Sequence, residues 1–492
     1  MDTHLTSDPL TGARLRRDNT VVSGRAVLDD PGMAQLRRYL PVLAVIAAPY
    51  AGLGGDLDPL NPLDPAREWD TLIGAMTGVG QQQADGSPCL ALVRLQPPTS
   101  ASLGAALAAN AGGPDAFRVV HFVCHGERDM LYLEDEEGHE AYAVAEHVVK
   151  LFRQSSAWLV LMDGCFSRAM GQMLIDETSV MAVVGTRRRV SEANTATFTT
   201  RFYAELTSGT DIRKAYRTAL GELKRRPDGQ ADRFDLVIDE DVHEVTLPLP
   251  DGRVRAARPL FAGGMPRLFD VPHPVGFVGR REELSTLAAA IPASGCGVQV
   301  LHGPAGIGKS WLAAAFAARF GWRFSDGVVW FRCNAMTTAQ EVAARVAHVL
   351  NVPLYTPLPD LVALLHRRRV LLVLDQVDAL ASWAELERLG ALIRNVAAGG
   401  AAGNAAGGSW VMVMARSVSD LLRSNGEGQA LNVLQFTPKE SRTLAMRLAV
   451  ERDLDALDVD TIDDFLERTL NLPWLIAQGI EMVEAQGVPY AL

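Results

Sequence analysis

Two groups of residues in this chain have the types and spacing for chemistry. The first is Gly303-Pro304-Ala305-Gly306-Ile307-Gly308-Lys309-Ser310, a complete G-x-x-x-x-G-K-[ST] pattern. Glycines at this spacing let backbone N–H groups wrap a chain of phosphates, and the N-terminus of a following helix adds its positive end. Lys309 would reach the outer phosphates and Ser310 would offer its hydroxyl to Mg2+. Asp375 closes the apolar run VLLVLD, 66 residues beyond Lys309, and supplies a carboxylate for the same ion. The implied ligands are ATP or ADP with Mg2+. Gln376 follows Asp375. An amide orients water but cannot take its proton, so slow turnover, or nucleotide used as a switch, is expected.

The second group is a histidine and a cysteine. VVHFVCHG and WLVLMDGC are apolar runs ending in His125-Gly126 and Cys165, and 40 residues separate His125 from Cys165. A thiol becomes a nucleophile when a neighbouring imidazole takes its proton and later returns it to a leaving amine. The backbone N–H groups of Gly126 and Cys165 are candidate oxyanion donors. Spacing alone leaves packing as the alternative, because a lone Cys on a strand is usually core. His121 and Cys124 lie inside their strand, beside Phe122 and Val123, and are expected to be packing residues.

Elements that could position these groups follow from the hydrophobic pattern. Short apolar runs at 42–48, 89–95, 119–124, 158–163 and 181–186 alternate with stretches of helical spacing such as SLGAALAAN and AVAEHVVKLFRQ. The alternation restarts at 298–303, 327–333, 370–376 and 409–415. Buried strands interleaved with helices predict mostly parallel sheets covered on both faces, which carry their sites at strand C-termini. The expected organisation is an N-terminal extension at 1–38, a first α/β domain at 39–265, a linker at 266–275, a P-loop α/β domain at 276–425 and a helical domain at 426–492. The Gly/Ala run at 396–408 is expected to be a mobile loop. A short helix is possible at PGMAQLRRYL.

Composition narrows the function classes. The chain has 492 residues, enough for two to four domains. Hydrophobic residues at 48% exclude a mainly disordered chain. Asp and Glu outnumber Lys and Arg by 58 to 47, a formal charge of −11, so nucleic acid is not the expected partner. A transcription regulator is disfavoured for the same reason. Five cysteines without a CxxC pair suit a reducing cytoplasm. No signal peptide and no membrane span are expected. The arginines at 187–189 are expected on a solvated face, with contact to an acidic substrate segment as the alternative, and those at 367–369 on the surface or at subunit contacts.

Residues 273–475 resemble the signal-transduction ATPases of the STAND class, NB-ARC domains in particular. The resemblance rests on Phe277-Val278-Gly279-Arg280, the P-loop with Trp311 after it, GVVWFRCN, the strand end Met414-Ala415-Arg416, and Asn471-Leu472-Pro473. It implies that Phe277, Val278, Gly279 and Arg280 approach the adenine, that Arg416 senses the nucleotide, and that Pro473 packs near the base. The residues after Pro473 leave little room for the family's winged helix or sensor repeats. A partner protein or the N-terminal domain is therefore expected to supply the sensor.

Residues from about 40 to 225 resemble the CHAT domain, a caspase-like cysteine peptidase family. The resemblance is carried by VHFVCHG, LYLEDEEG, WLVLMDGCFS and MAVVGTRRRVSEANTATFTTRFYAELTSGTDIRKAYRTAL. It implies a caspase-like fold with His125 and Cys165 as the catalytic dyad. Asp163 departs from many relatives and gives D-G-C-F-S, which looks like the D-x-C-x-S of metacaspases. That similarity implies a pocket acid favouring cleavage after Arg or Lys. The alternative is that Asp163 accepts backbone hydrogen bonds at the strand end. Together the resemblances imply a nucleotide-regulated endopeptidase that oligomerises with itself on activation in a bacterial immune or signalling pathway. Its substrate would be a protein, such as a neighbouring gasdermin-like pore former. The rival expectation is an ATP-gated scaffold with a silent caspase-like docking domain.

Overall fold

A computed structural model describes residues 40–50, 63–82, 90–108, 116–239 (apart from 128, 166, 167 and 189), 260–261, 268–291, 296–399, 408–417, 429–452, 454, 462, 465–466 and 468–486. The expected extension at 1–38, the possible helix at its end and most of the Gly/Ala run lie outside these residues. The chain divides into two compact units, Met1–Met265 and Pro266–Leu492.

The first unit holds a seven-stranded sheet. Its strands are β1 (Leu40–Ile46), β2 (Leu90–Arg94), β3 (Val119–Val123), β7 (Leu159–Cys165), β8 (Ala182–Thr186), β9 (Phe234–Ile238) and β10 (Leu260–Phe261), in the order β10-β2-β1-β3-β7-β8-β9. Every pairing is parallel except β8 with β9. Alternate residues of β1 face opposite layers: Leu43 and Val45 pack with one apolar cluster, Val42, Ala44 and Ile46 with the other. The first layer comprises α2 (Ser100–Ala108), α3 (Ala145–Phe152) and α4 (Arg168–Glu177), through Leu103, Phe152 and Leu174. The second comprises α1 (Pro65–Gln82), α5 (Glu192–Thr207) and α6 (Ile212–Lys224), through Trp69, Phe198 and Ala219. Covering both faces is why these strands are apolar throughout rather than alternating. A small antiparallel sheet of β4 (Gly126–Glu127), β5 (Met130–Glu134) and β6 (Glu140–Val144) follows β3.

The second unit holds six parallel strands: β11 (Leu268–Phe269), β12 (Gly297–His302), β13 (Gly327–Arg332), β14 (Val370–Asp375), β15 (Trp410–Ala415) and β16 (Gln429–Asn432). Their order is β11-β13-β14-β15-β12-β16. On one face α9 (Ala339–Val349), α10 (Leu358–Arg367) and α11 (Trp383–Ala398) bury Val342, Leu361 and Leu392. A Thr338–Glu341 capping box starts α9. The helices α7 (Arg281–Ala290) and α8 (Lys309–Phe320) precede and follow β12. Near the end, α12 (Pro438–Glu451) and α13 (Pro473–Gln486) share an apolar cluster with Phe465 and Leu466.

Two expected boundaries need correction. Residues 266–275 are not simply a linker, because Leu268–Phe269 adds an edge strand to the second sheet. The segment 426–492 is not wholly helical, because β16 pairs with β12 along Gln299–His302. Both strands are too short to leave a period-2 signature. Among the described residues, no helix is long and apolar enough to cross a membrane.

Leu372, fully buried in β14, tests the core of the second unit. Leu372→Ala is expected to cost about 2–5 kcal/mol, as Leu-to-Ala changes in cores do. Amide hydrogen exchange in β12, β14 and β15 should accelerate by roughly 30-fold or more.

Candidate functional site

In the second unit the P-loop joins β12 to α8. Gly306, at φ 77°, occupies the left-handed region that glycine adopts without a steric cost. A Cβ there would stand 2.9 Å from the Cβ of Trp474. The Trp474 N–H also donates to the Gly306 carbonyl at 3.3 Å, so the start of α13 sits directly on the loop. Pro473 lies 3.9 Å from the position a Cβ on Gly308 would take. Trp311, just past Ser310, is half exposed, as is Trp474.

Lys309 Nζ donates to the carbonyls of Gly303, at 2.7 Å, and Pro304, at 2.9 Å. Burial lowers its pKa, while Asp378 and Asp375 raise it. Ser310 Oγ donates to both oxygens of Asp375, at 3.0 and 3.2 Å. The Asp375 carboxyl is 1% exposed, and burial pushes its pKa up against the opposing pull of Ser310 and Arg332. A hydroxyl and a carboxylate in contact form a hard oxygen pair that fits Mg2+, and the glycine-rich loop ending in Lys309 fits a phosphate chain. The structure therefore brings Gly303, Pro304, Gly306, Gly308, Lys309, Ser310 and Asp375 to one strand edge.

Arg416 is exposed, and its Nε lies 3.1 Å from the Asp378 carboxylate. Its carbonyl accepts from the Gly303 N–H. Asp378 was not legible as a site residue, because it lies in a short 3-10 turn beyond the strand. Gln376 adopts φ 59°, turning the chain so that Asp378 reaches this edge.

Arg280 departs from its expectation. It was expected to approach the adenine, yet its side chain is 3% exposed and densely bonded within the protein. It donates to Ile307 O inside the P-loop, to Leu434 O beyond β16 and to Glu283 Oε1. The guanidinium stacks on Phe436, 4.6 Å from the ring centroid. The Arg280 N–H donates to Glu440, whose carboxylate also caps α12 through Thr437. A Cβ on Gly279 would overlap the Glu440 carboxylate, which explains a glycine there. Phe277 and Val278 are half-buried on the same approach.

In the first unit β3 and β7 run parallel, with Val119 opposite Leu159 and Val123 opposite Asp163. This register carries a constant offset of 40 residues, the same offset as between His125 and Cys165. The paired ladder ends at Val123–Asp163, two residues short of His125 and Cys165. A bulge in β7 between Met162 and Cys165 shifts the register to β8, where Cys165 meets Thr186. Bulges of this kind re-aim side chains at sheet edges. His125 is half-buried, whereas the Cys165 side chain lies outside the described residues. Gly126 faces Leu131 while Tyr132 N–H donates to His125 O, so the ladder to β5 does not consume the Gly126 N–H.

Asp163 accepts from His121 Nε2 at 2.8 Å, and His121 Nδ1 lies 3.3 Å from Tyr203 Oη. His121 is fully buried, as expected, but it is more than packing, since both ring nitrogens have polar partners. Asp163 retains 16% side-chain exposure. Burial and the Asp163 charge push the Cys124 thiol up to about 12, so Cys124 is inert. Of the 187–189 arginines, Arg187 pairs with Asp235 at 2.8 Å. Arg368 pairs with Asp326 at 3.0 Å, and Arg369 is half-buried over Phe324.

The AAA domain family matches residues 292–422, wholly within the second unit, so these residues form an AAA-type P-loop nucleotide-binding domain. No curated protein matches the chain. Among solved structures, the Thermotoga maritima RuvB Holliday junction branch migration motor is similar at 20% identity and TM-score 0.30, covering 42% of this chain and 63% of that one. A STAND protein with a tetratricopeptide repeat sensor from Pyrococcus horikoshii is similar at 17% identity and TM-score 0.31, covering 46% and 33%. A DNA replication initiation factor is similar at 17% identity and TM-score 0.30, covering 43% and 64%. The chain thus spans less than two thirds of these proteins.

Asp375→Asn separates stability from binding. Burial raises the folded pKa of Asp375, so its ionisation penalty is present above that pKa and relieved as pH falls through it. The nucleotide-free variant is expected to melt at or above the wild-type temperature at about pH 7.5, with the difference shrinking as pH falls through the raised pKa of Asp375. Its Mg2+-dependent affinity for ATP, measured by titration calorimetry, should fall about tenfold or more.

Proposed function

We propose that the chain is a cysteine endopeptidase regulated by a nucleotide switch, acting on a protein partner after a basic residue. The observation that supports the peptidase part is the shared 40-residue offset of β3 and β7, whose ladder ends two residues before His125 and Cys165. The D-G-C-F-S context and a partly exposed Asp163 support a basic preference. In the reaction, His125 takes the proton from Cys165 and the thiolate sulfur bonds to the scissile carbonyl carbon. The Gly126 and Cys165 N–H groups stabilise the oxyanion, and the C–N bond breaks as His125 returns the proton to the departing amine. Water then cleaves the thioester.

The switch is argued from the P-loop. Its N–H groups and Lys309 would hold the phosphates, and Ser310 with Asp375 would hold Mg2+. Bound ATP supplies a terminal phosphate whose charge and contacts differ from those of ADP. Arg416, paired with Asp378, would exchange that partner for phosphate. Phe277, Val278, Gly279, Arg280, Trp311 and Pro473 frame the approach. ATP and ADP would then select different self-associated states, which requires different affinities for the two states. The substrate would be a protein effector encoded nearby, for instance a pore former of the gasdermin type.

Four measurements test the proposal. Wild-type protein with ATP should cleave Arg-containing peptides, and Cys165→Ala should abolish cleavage. Iodoacetamide should modify Cys165 while Cys124 and Cys333, both pushed up to about 12 chiefly by burial, stay unmodified at about pH 8. Cleavage or toxicity persisting in Cys165→Ala would instead favour the ATP-gated scaffold. ATP turnover should stay below about 1 s⁻¹. Mass photometry should show different assemblies with ATP and ADP, and identical assemblies would refute the switch.

A further inference from the structure

His121 is fully buried in the middle of a strand, where an apolar residue would cost nothing to bury. Its neighbours explain its presence. Tyr203 projects from α5 and is itself fully buried. Burial, reinforced by Asp163, holds its hydroxyl protonated, so Tyr203 can donate to His121 Nδ1. Nε2 is then the ring N–H, and it donates to Asp163 Oδ2 at 2.8 Å. In this arrangement each group satisfies the next, and the chain of bonds ends on a carboxylate. Only Oδ2 is used. The carboxylate, at 16% exposure, stands two residues before Cys165 in the segment where β7 bulges away from β8. A short acid on a bulged strand has several rotamers, and a rigid imidazole fixes one of them.

We infer that His121, backed by Tyr203, is a positioning residue that fixes the Asp163 carboxylate to receive the basic side chain of a peptide substrate. The inference rests on the peptidase reading above and adds to it the origin of the specificity. An Arg guanidinium needs a carboxylate of fixed orientation for a paired contact, whereas an uncharged side chain gains nothing from it. His121 therefore acts on binding of the basic residue and leaves the chemical step alone.

The test uses the full chain with ATP and two fluorogenic peptides that differ only in Arg or Ala before the scissile bond. In His121→Gln, kcat/KM for the Arg peptide should fall about tenfold or more, the size of a lost charged hydrogen bond, and mainly through KM. The Ala peptide should change by less than about twofold. Tyr203→Phe, which removes only a hydroxyl, should shift the Arg peptide in the same direction by a smaller factor. Nitrogen-15 spectra of histidine-labelled protein should show the Nε2–H tautomer for His121, with an Nδ1 signal that moves in Tyr203→Phe. An active enzyme whose variants lose both peptides equally, or an Nδ1–H tautomer, overturns this inference alone. A wild type inert toward both peptides, with Cys165 unlabelled by iodoacetamide, overturns the peptidase reading and this inference with it.

Discussion

A parallel sheet covered by helices on both faces leaves its polar side chains one place to meet, the carboxyl edge of the strands. Both units obey this constraint. In the second, β12 runs into the phosphate-type loop and β14 into Asp375, and the Ser310–Asp375 bond joins the two. In the first, β3 and β7 pair up to Val123 and Asp163, two residues before His125 and Cys165. His121 breaks the rule by sitting inside a strand, and it does so with both nitrogens engaged. Its Nε2 bond reaches Asp163, the last residue of β7 that pairs with β3.

The P-loop is held from two distant parts of the chain. Arg280 reaches Ile307 from the segment before α7, and Trp474 reaches Gly306 from the start of α13. Glu440 joins these flanks by accepting from Arg280 while capping α12. The P-loop and the last helices of the unit are thus tied together by hydrogen bonds, and the Arg280 guanidinium among them is buried.

Much of this was legible beforehand. The long apolar strands, the P-loop and Asp375 announce themselves through pattern and spacing, because burial on two faces and phosphate wrapping restrict residue types strongly. The short strands β11 and β16 did not, since two to four residues carry no period. Asp378 was invisible because a left-handed turn at Gln376 decides where it points. The role of Arg280 was hidden for a different reason. Its partners lie up to 160 residues away, and no local pattern encodes contacts at that range. His121 looked like packing because sequence shows that it is inside, and only coordinates show what it touches.

Lys309 rests on the carbonyls of Gly303 and Pro304. An incoming anion therefore competes with two bonds already made, rather than meeting a bare ammonium. A solitary sulfate or inorganic phosphate recovers little beyond what it displaces. A di- or triphosphate also engages the loop N–H groups, and it gains on every additional contact. A ligand long enough to span the loop would therefore have more with which to offset the two displaced lysine bonds than a single small anion.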